Sequence, residues 1–599
     1  MNLGDPANPS RRQLVSLAGA AGAAVALGGA WSPRTRAADP GPQPAAPPLA
    51  TRNASDIIVD TLIRWQVSAV FGLVGDGINP LIEALRKRQS EIRFIAVRHE
   101  EAAAFMACGH AKHTGKLGVC IATTGPGAVH LMNGLYDAKM DSAPVLAITG
   151  TTFHDLIGTR FMQSVNTVAL MQDVSVYNTQ ITGPLNAEIV TNIACRAALG
   201  LRGVAHVTIA KDTQAMALPA DKPSTENHGL RTSASFEPSQ EAPSGARLNE
   251  AAAILNSGRR VAILAGQGAL GARREVTECA DRLAAPVAKA LLGKGVLPDD
   301  SPFTTGGIGH LGTLPSQYIM QTCDTVLILG STMPWVDAYP KPGSARGIQV
   351  DIKPQHIGLR YPVELGLCGD MKSTLSQLLP LLKHKRDRGF LAEAQSRMAD
   401  WNALLDRVAA TARAPLRPQM VIRRLSDRLA DDAVICLDCG ANTHFAARML
   451  RIRENQQLVG TGMLATMAPA LPFAIAGQLA FPKRQVVAIA GDGGFSQLMV
   501  ELATAVKYEL PIKVLVLKNN SLAEVLFEQK ELGNPVYGCD LTPIDFAAFA
   551  RACGADGYTA ASVEELDAVL DAFLRANRTA VLEVVVDPNE KPALAQELT

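Results

Sequence analysis

The sequence predicts an α/β protein built from three doubly wound parallel-sheet domains, and three observations carry that prediction. Short apolar runs alternate with helical patterns, first at 67–72, 92–97, 118–123 and 145–149, then at 260–265, 433–437, 485–490 and 513–517. Such alternation is the mark of parallel strands covered on both faces by helices. The chain has 599 residues, too many for one core, and at roughly 150 to 200 residues per domain it divides into three. A polar, Pro- and Ser-rich break at 219–244 separates the first unit from the second, and a charged helical connector precedes a third that opens near Pro418. The boundaries read 52–218, 245–384 (Rossmann-like) and 415–590.

Composition narrows the function classes. With 47% hydrophobic and 19% charged residues, 50 glycines and a formal charge of +1, the chain reads as soluble and globular. No basic excess points to nucleic acid as a partner. Ten cysteines without a repeating spacing argue against a disulfide framework, and Cys436 with Cys439 lacks the second pair that a zinc site needs.

The amino end differs in kind. Arg11 and Arg12 precede an alanine-rich apolar run at 14–30, with small residues for cleavage near 35–38, so residues 1–38 read as a twin-arginine export signal. The competing reading is a tail that merely contains two arginines, which leaves a periplasmic and a cytoplasmic location open. Residues 39–51 form a proline-rich linker unable to build helix or central strand. The apolar run is short for a membrane span, and no amphipathic helix follows the last strand, so no direct membrane anchor is expected.

The sharpest motif lies in the third unit. One strand ends at Gly491-Asp492-Gly493-Gly494, and the next ends at Asn519-Asn520. Oxygen ligands at the carboxyl ends of adjacent strands suit Mg²⁺, which takes a few hard oxygens together with phosphate. The glycines let backbone approach a diphosphate, and a helix starting just after them would present its N-terminal amides. Residues and spacing resemble the signature of thiamine diphosphate (ThDP) enzymes. That resemblance implies Mg²⁺ held by Asp492, Asn520 and the main-chain carbonyl of Leu522. Ala523 stands where a glycine is usual, a departure on the substrate side.

In the first unit, Arg98-His99-Glu100-Glu101 follows a predicted strand and opens a helix. Taken alone, Glu100 is a carboxylate favoured by the helix dipole. The resemblance makes it the group that hydrogen-bonds the aminopyrimidine ring and drives it to the imino form. By the same resemblance Gly75, Gly125 and Gly127 lie in turns framing the pyrimidine, Met467 is wedged under the thiazolium, and Gln163 is the cofactor-proximal glutamine. The first and third units then become pyrimidine-binding and diphosphate-binding domains.

In the middle unit, Gly266, Gly268 and Gly271 follow a strand as a dinucleotide fingerprint. The acidic ribose clamp about twenty residues on is missing, which disfavours a nicotinamide cofactor. Over residues 52–590 the chain resembles the pyruvate oxidase and pyruvate:quinone dehydrogenase branch, whose acetolactate synthase relatives share the domain order. In the oxidases the middle domain holds FAD, which carries over to Gly309, Leu311, Ser331, Thr332 and Asp351. Asp351, at a strand end, also suits a ribose on its own terms. The dehydrogenase's membrane-reaching C-terminal extension has no counterpart here, so direct quinone reduction is not expected.

The expected activity is decarboxylation of a small 2-oxo acid such as pyruvate, oxidative with transfer to FAD. The alternatives are acetolactate synthase-type carboligation and non-oxidative decarboxylation. A non-catalytic, exported cofactor binder is opposed by the joint presence of Glu100, Asp492 and Asn520. Because the two halves of each site come from different subunits in this family, a homodimer or homotetramer is implied.

Overall fold

A computed structural model describes residues 52–219, 233–592 and 595. The twin-arginine pattern and the proline-rich linker lie outside the described residues, as does the middle of the polar break. Strands β1 (Ala69–Gly72), β2 (Arg93–Ala96), β3 (Gly118–Ala122), β4 (Val145–Thr151), β5 (Ser175–Ile181) and β6 (Val204–Ala210) form one six-stranded sheet in the order β2-β1-β3-β4-β6-β5. The second sheet takes β7 (Val261–Ala265), β8 (Val287–Lys289), β9 (Thr304–Gly307), β10 (Thr325–Leu329), β11 (Arg346–Asp351) and β12 (Leu365–Cys368) in the order β12-β11-β10-β7-β8-β9. The third takes β13 (Val434–Leu437), β14 (Gln457–Gly460), β15 (Val486–Gly491), β16 (Lys513–Lys518), β17 (Asp556–Ala560) and β18 (Ala580–Val585) in the order β14-β13-β15-β16-β18-β17.

Every pairing within these sheets is parallel. The central strands β4, β6, β7 and β10 are buried along their whole length, which is why they read as unbroken apolar runs rather than alternating ones. The first and third sheets share one strand order, counted along each unit. The second has the Rossmann order instead. Each sheet therefore has a crossover where the winding reverses, between β1 and β3, β7 and β10, or β13 and β15, and the crevice beyond the carboxyl ends there is where such sheets bind ligands.

The first and third domains share a core. Helix Glu100–Thr114 begins at His99, whose Nδ1 accepts from Glu101 N, and stops at Gly115 in the left-handed conformation. It packs on helix Ala470–Ala480 at a distance only small residues permit. A Cβ on Gly109 would lie 2.8 Å from Phe473 Cδ1, and one on Gly477 would lie 2.9 Å from His113 Nε2. Among the described residues no helix is long and apolar enough to cross a membrane.

Candidate active site

At the crossover of the third sheet, β15 ends on Gly491 and helix Asp492–Leu498 begins at Asp492 itself, three residues earlier than the sequence predicts. Gly493 and Gly494 therefore lie inside its first turn. Asp492 is buried; its Oδ1 accepts from Gly493 N at 2.9 Å and its Oδ2 from Asn519 N at 3.0 Å and from Asn520 N. Burial pushes its carboxyl pKa up, and the amides of Asn520, Gly493 and Asn519 oppose that shift. Asn520 adopts φ 55°, a left-handed conformation that asparagine tolerates.

Leu522 and Met467 converge on the same turn. A Cβ on Gly493 would lie 2.7 Å from Leu522 Cδ2 and 3.3 Å from Met467 Cε. One on Gly494 would lie 2.5 Å from Asp438 Oδ1, and one on Gly491 would lie 3.4 Å from Asn442 Oδ1. Side chains at Gly493 and Gly494 would therefore collide with Leu522 and Asp438, whereas one at Gly491 would make only ordinary contact. Met467 sits between Ala465 at φ 52° and Ala468 at φ 85°, two non-glycine residues in the left-handed region, a strain that persists only where surrounding contacts over-determine it.

Asp438 is one such contact, and the sequence reading passes over it. It follows β13 directly, is buried, and accepts from the backbone amides of Cys439, Ala468 and Ala470. Burial pushes its carboxyl up to about 6 against the pull of those amides. The available signal was positional: an aspartate closing an apolar strand ahead of a glycine, as Asp492 does.

The first sheet assembles a second group. Glu100 is buried, and its Oε2 lies 2.9 Å from Nδ1 of His130, a residue the sequence reading does not single out. His130 stacks on His99 with ring centroids 4.5 Å apart. A Cβ on Gly127 would lie 3.1 Å from Glu100 Oε1 and 3.0 Å from Thr123 Cγ2. Gly75 abuts the same threonine, with a Cβ there 2.4 Å from Thr123 Cβ. Gly125, at φ 70°, backs onto exposed Gln163, whose Cβ would be 2.8 Å from an added Cβ. Glu100, Gly75, Gly125, Gly127 and Gln163 are therefore one cluster at the β1/β3 crossover. Among the described residues no hydrogen bond joins Glu100 to Asp492. Asn133 links the two halves within the chain, donating to Glu101 Oε1 at 2.7 Å and to Thr466 Oγ1 at 3.0 Å.

The third group surrounds the crossover of the middle sheet. Gly268, after β7, approaches Gly330, after β10, so closely that a Cβ on Gly268 would lie 2.8 Å from Gly330 Cα. Leu311, Ser331, Thr332 and Asp351 line a cavity of about 1520 Å³ beside this contact. Gly309 stands one layer behind, where its Cβ would lie 2.4 Å from Cε3 of the lining residue Trp335. Buried Asp351 accepts from Lys353 N at 2.9 Å, and His356 Nδ1 lies 3.4 Å from its carboxylate. The cavity exceeds the usual 300 to 1,000 Å³ of a small-molecule pocket. It continues past Gly266 and Leu292 to Asp438, Cys439, Met463 and Ala465, joining the middle crossover to the third.

Comparison with known proteins finds three domain families in this same order: the thiamine pyrophosphate enzyme N-terminal TPP binding domain over residues 52–170, the central domain over 248–378 and the C-terminal TPP binding domain over 438–584. The chain belongs to the thiamine pyrophosphate enzyme family. Within that family, a thiamine pyrophosphate-containing protein of Bacillus subtilis is 39% identical over 91% of this chain and 93% of its own length. The pyruvate oxidase of Lactiplantibacillus plantarum is 30% identical over 91% of this chain and 90% of its own. An acetolactate synthase of Mycobacterium bovis is 29% identical over 88% and 87%. This ThDP enzyme is thus of the pyruvate oxidase and acetolactate synthase type.

Proposed function

We propose that this ThDP enzyme decarboxylates a pyruvate-like 2-oxo acid oxidatively and passes the electrons to FAD in its middle domain. The cavity carries this reading, because it runs without interruption from the Gly268/Gly330 contact to the strand ends beside Asp438 and Met463. An electron donor seated at the third crossover and an acceptor seated at the second would share one continuous cavity. When bound, ThDP supplies a nucleophilic carbon and an electron sink, and FAD accepts an electron pair.

The chain's own residues bind, orient and exclude water. Asp492 and Asn520, with the carbonyl of Leu522, offer the hard oxygens that Mg²⁺ takes alongside a diphosphate. Gly491, Gly493 and Gly494 would let backbone approach that diphosphate, and a side chain at Gly493 or Gly494 would collide with Leu522 or Asp438. Glu100 holds and returns a proton at the pyrimidine ring through its carboxylate, with His130 fixing Oε2. Asp351 suits a ribose hydroxyl at the end of β11, with Ser331, Thr332 and Leu311 along the same wall and Gly309 allowing Trp335 its place in it. The placement of Glu100 at the crossover of the first sheet and Asp492 at that of the third supports a site completed by a second copy, hence a homodimer or homotetramer. The Arg11-Arg12 pattern supports export, which replacing both arginines by lysine in a secretion reporter would abolish.

The test is an absorption spectrum of the protein reconstituted with ThDP, Mg²⁺ and FAD, recorded before and after anaerobic pyruvate. Flavin bands that bleach support the oxidative reading. Bands that persist, or failure to retain flavin, overturn it, and assays for acetolactate and acetaldehyde then separate carboligation from simple decarboxylation.

A further inference from the structure

A buried ion cluster borders the cavity just described, with Lys112 and Asp141 among its lining residues. Lys112 Nζ sits 2.6 Å from Asp137 Oδ2, 2.7 Å from Asp141 Oδ2 and 2.9 Å from the carbonyl of Gly460. The side chains are 5%, 0% and 1% exposed. Burial alone would strip the ammonium of its proton, but the two carboxylates outweigh it and hold the Lys112 pKa above its ordinary value. Cys108 and Thr461 donate to Asp137, at 3.2 and 2.7 Å.

Asp141 does more than neutralise the lysine. Its carboxylate accepts from Gly462 N at 2.8 Å and Met463 N at 2.9 Å, the first residues of the segment that leads through strained Ala465 to Met467 and Ala468. Its backbone carbonyl accepts from Gln267 Nε2 at 3.1 Å, and Gln267 opens the glycine-rich turn after β7. One residue of the first domain therefore holds the Met467 segment of the third domain and the groove-lining turn of the second. The far end of the Met467 segment is pinned by Asp438, so a shift at Gly462 and Met463 is delivered to Met467 rather than dissipated.

We propose that Asp141 is a positioning residue that couples the two cofactor sites, so that filling the middle-domain groove tightens binding at the third-domain crossover. The proposal rests on the FAD reading above. Ordering of the 266–272 turn by a dinucleotide fixes Gln267, Gln267 fixes the Asp141 carbonyl, and the Asp141 carboxylate fixes the Met467 segment in its strained conformation. Linkage makes the effect reciprocal: ThDP must tighten FAD by the same factor.

The experiment is calorimetric titration of the full-length apoprotein with ThDP and Mg²⁺, with and without saturating FAD, and the converse titration. The expected result is tightening of about fivefold or more, equal in both directions. Gln267→Ala cuts the link on the groove side and Asp141→Asn cuts it on the Met467 side; each should bring the factor to about one. Because Asp141→Asn also weakens a buried ion cluster, Gln267→Ala stands as the independent variant. A factor of one in the wild type, with both cofactors bound, overturns the coupling and leaves the oxidative reading intact. A factor that survives Gln267→Ala overturns the route through Asp141. Failure of FAD to bind overturns both the coupling and the FAD reading.

Discussion

The first and third domains have the same strand order and the same crossover, yet they place different side chains there. At the β1/β3 crossover the two turns meet through glycines and threonines, Gly75 and Gly77 against Thr123 and Thr124, and the carboxylate arrives from the segment after the neighbouring strand β2, as Glu100. At the β13/β15 crossover both turns carry carboxylates, Asp438 and Asp492, and the segment after the neighbouring strand β14 brings Met467 instead. Strand order decides where a crevice forms. On the proposed function, the segment that bears the buried acid then distinguishes a crevice for a proton carrier, with Glu100, from one for a metal, with Asp492.

The comparison breaks first if the two acids are exchangeable. Glu100→Gln should lower turnover of pyruvate by roughly 10² to 10⁴, the usual worth of a positioned acid or base, with little change in the midpoint of thermal unfolding. Turnover within tenfold of wild type would remove Glu100 from proton handling.

A second effect belongs to the third sheet. Asp438 titrates at about 6 in the native protein against 3.8 for an unperturbed aspartate, so between pH 4 and 6 the folded state binds more protons than the unfolded one. Its contribution is full at low pH and is lost as pH rises, about 3 kcal/mol by pH 7 at about 1.36 kcal/mol per pKa unit. Guanidinium unfolding of wild type and Asp438→Asn at pH 4 and pH 7 checks it. The wild type should lose more stability over that span than the variant, and parallel slopes would place the titration elsewhere.

Two glycines then sharpen the parallel between crossovers. Gly77→Ala would set a Cβ 2.0 Å from Thr124 Oγ1, and Gly494→Ala one 2.5 Å from Asp438 Oδ1. Overpacking of this kind costs about 1 to 3 kcal/mol in each case, measurable as a lower denaturant midpoint. Only Gly494→Ala should also perturb the Asp438 titration. The smallest expected change is His130→Phe, which removes the contact to Glu100 Oε2 and should slow turnover about tenfold, the worth of one hydrogen bond to a charged group. Steady-state rates with cofactors saturating read it directly.

Apolar runs of the right length announced the strands, and β3, β4 and β7 formed where those runs lie because a parallel strand buried on both faces must be apolar throughout. Gly491, Asp492 and Asn520 stood out because backbone approach and hard-oxygen ligation would demand particular residue types at particular strand ends, and they do lie at the ends of β15 and β16. His130 on Glu100, Asp438 beneath Gly494, and the Lys112, Asp137 and Asp141 cluster were not visible. Each is a pairing of ordinary residues made by packing: Thr461 meets Asp137 across 324 positions of chain, and Gln267 meets Asp141 across 126. Local pattern determined which elements form and which strand ends carry ligand-type side chains. Only the tertiary structure decided which of them meet and that one cavity joins two crossovers, because those outcomes depend on how separate sheets pack and no short window of sequence contains both partners.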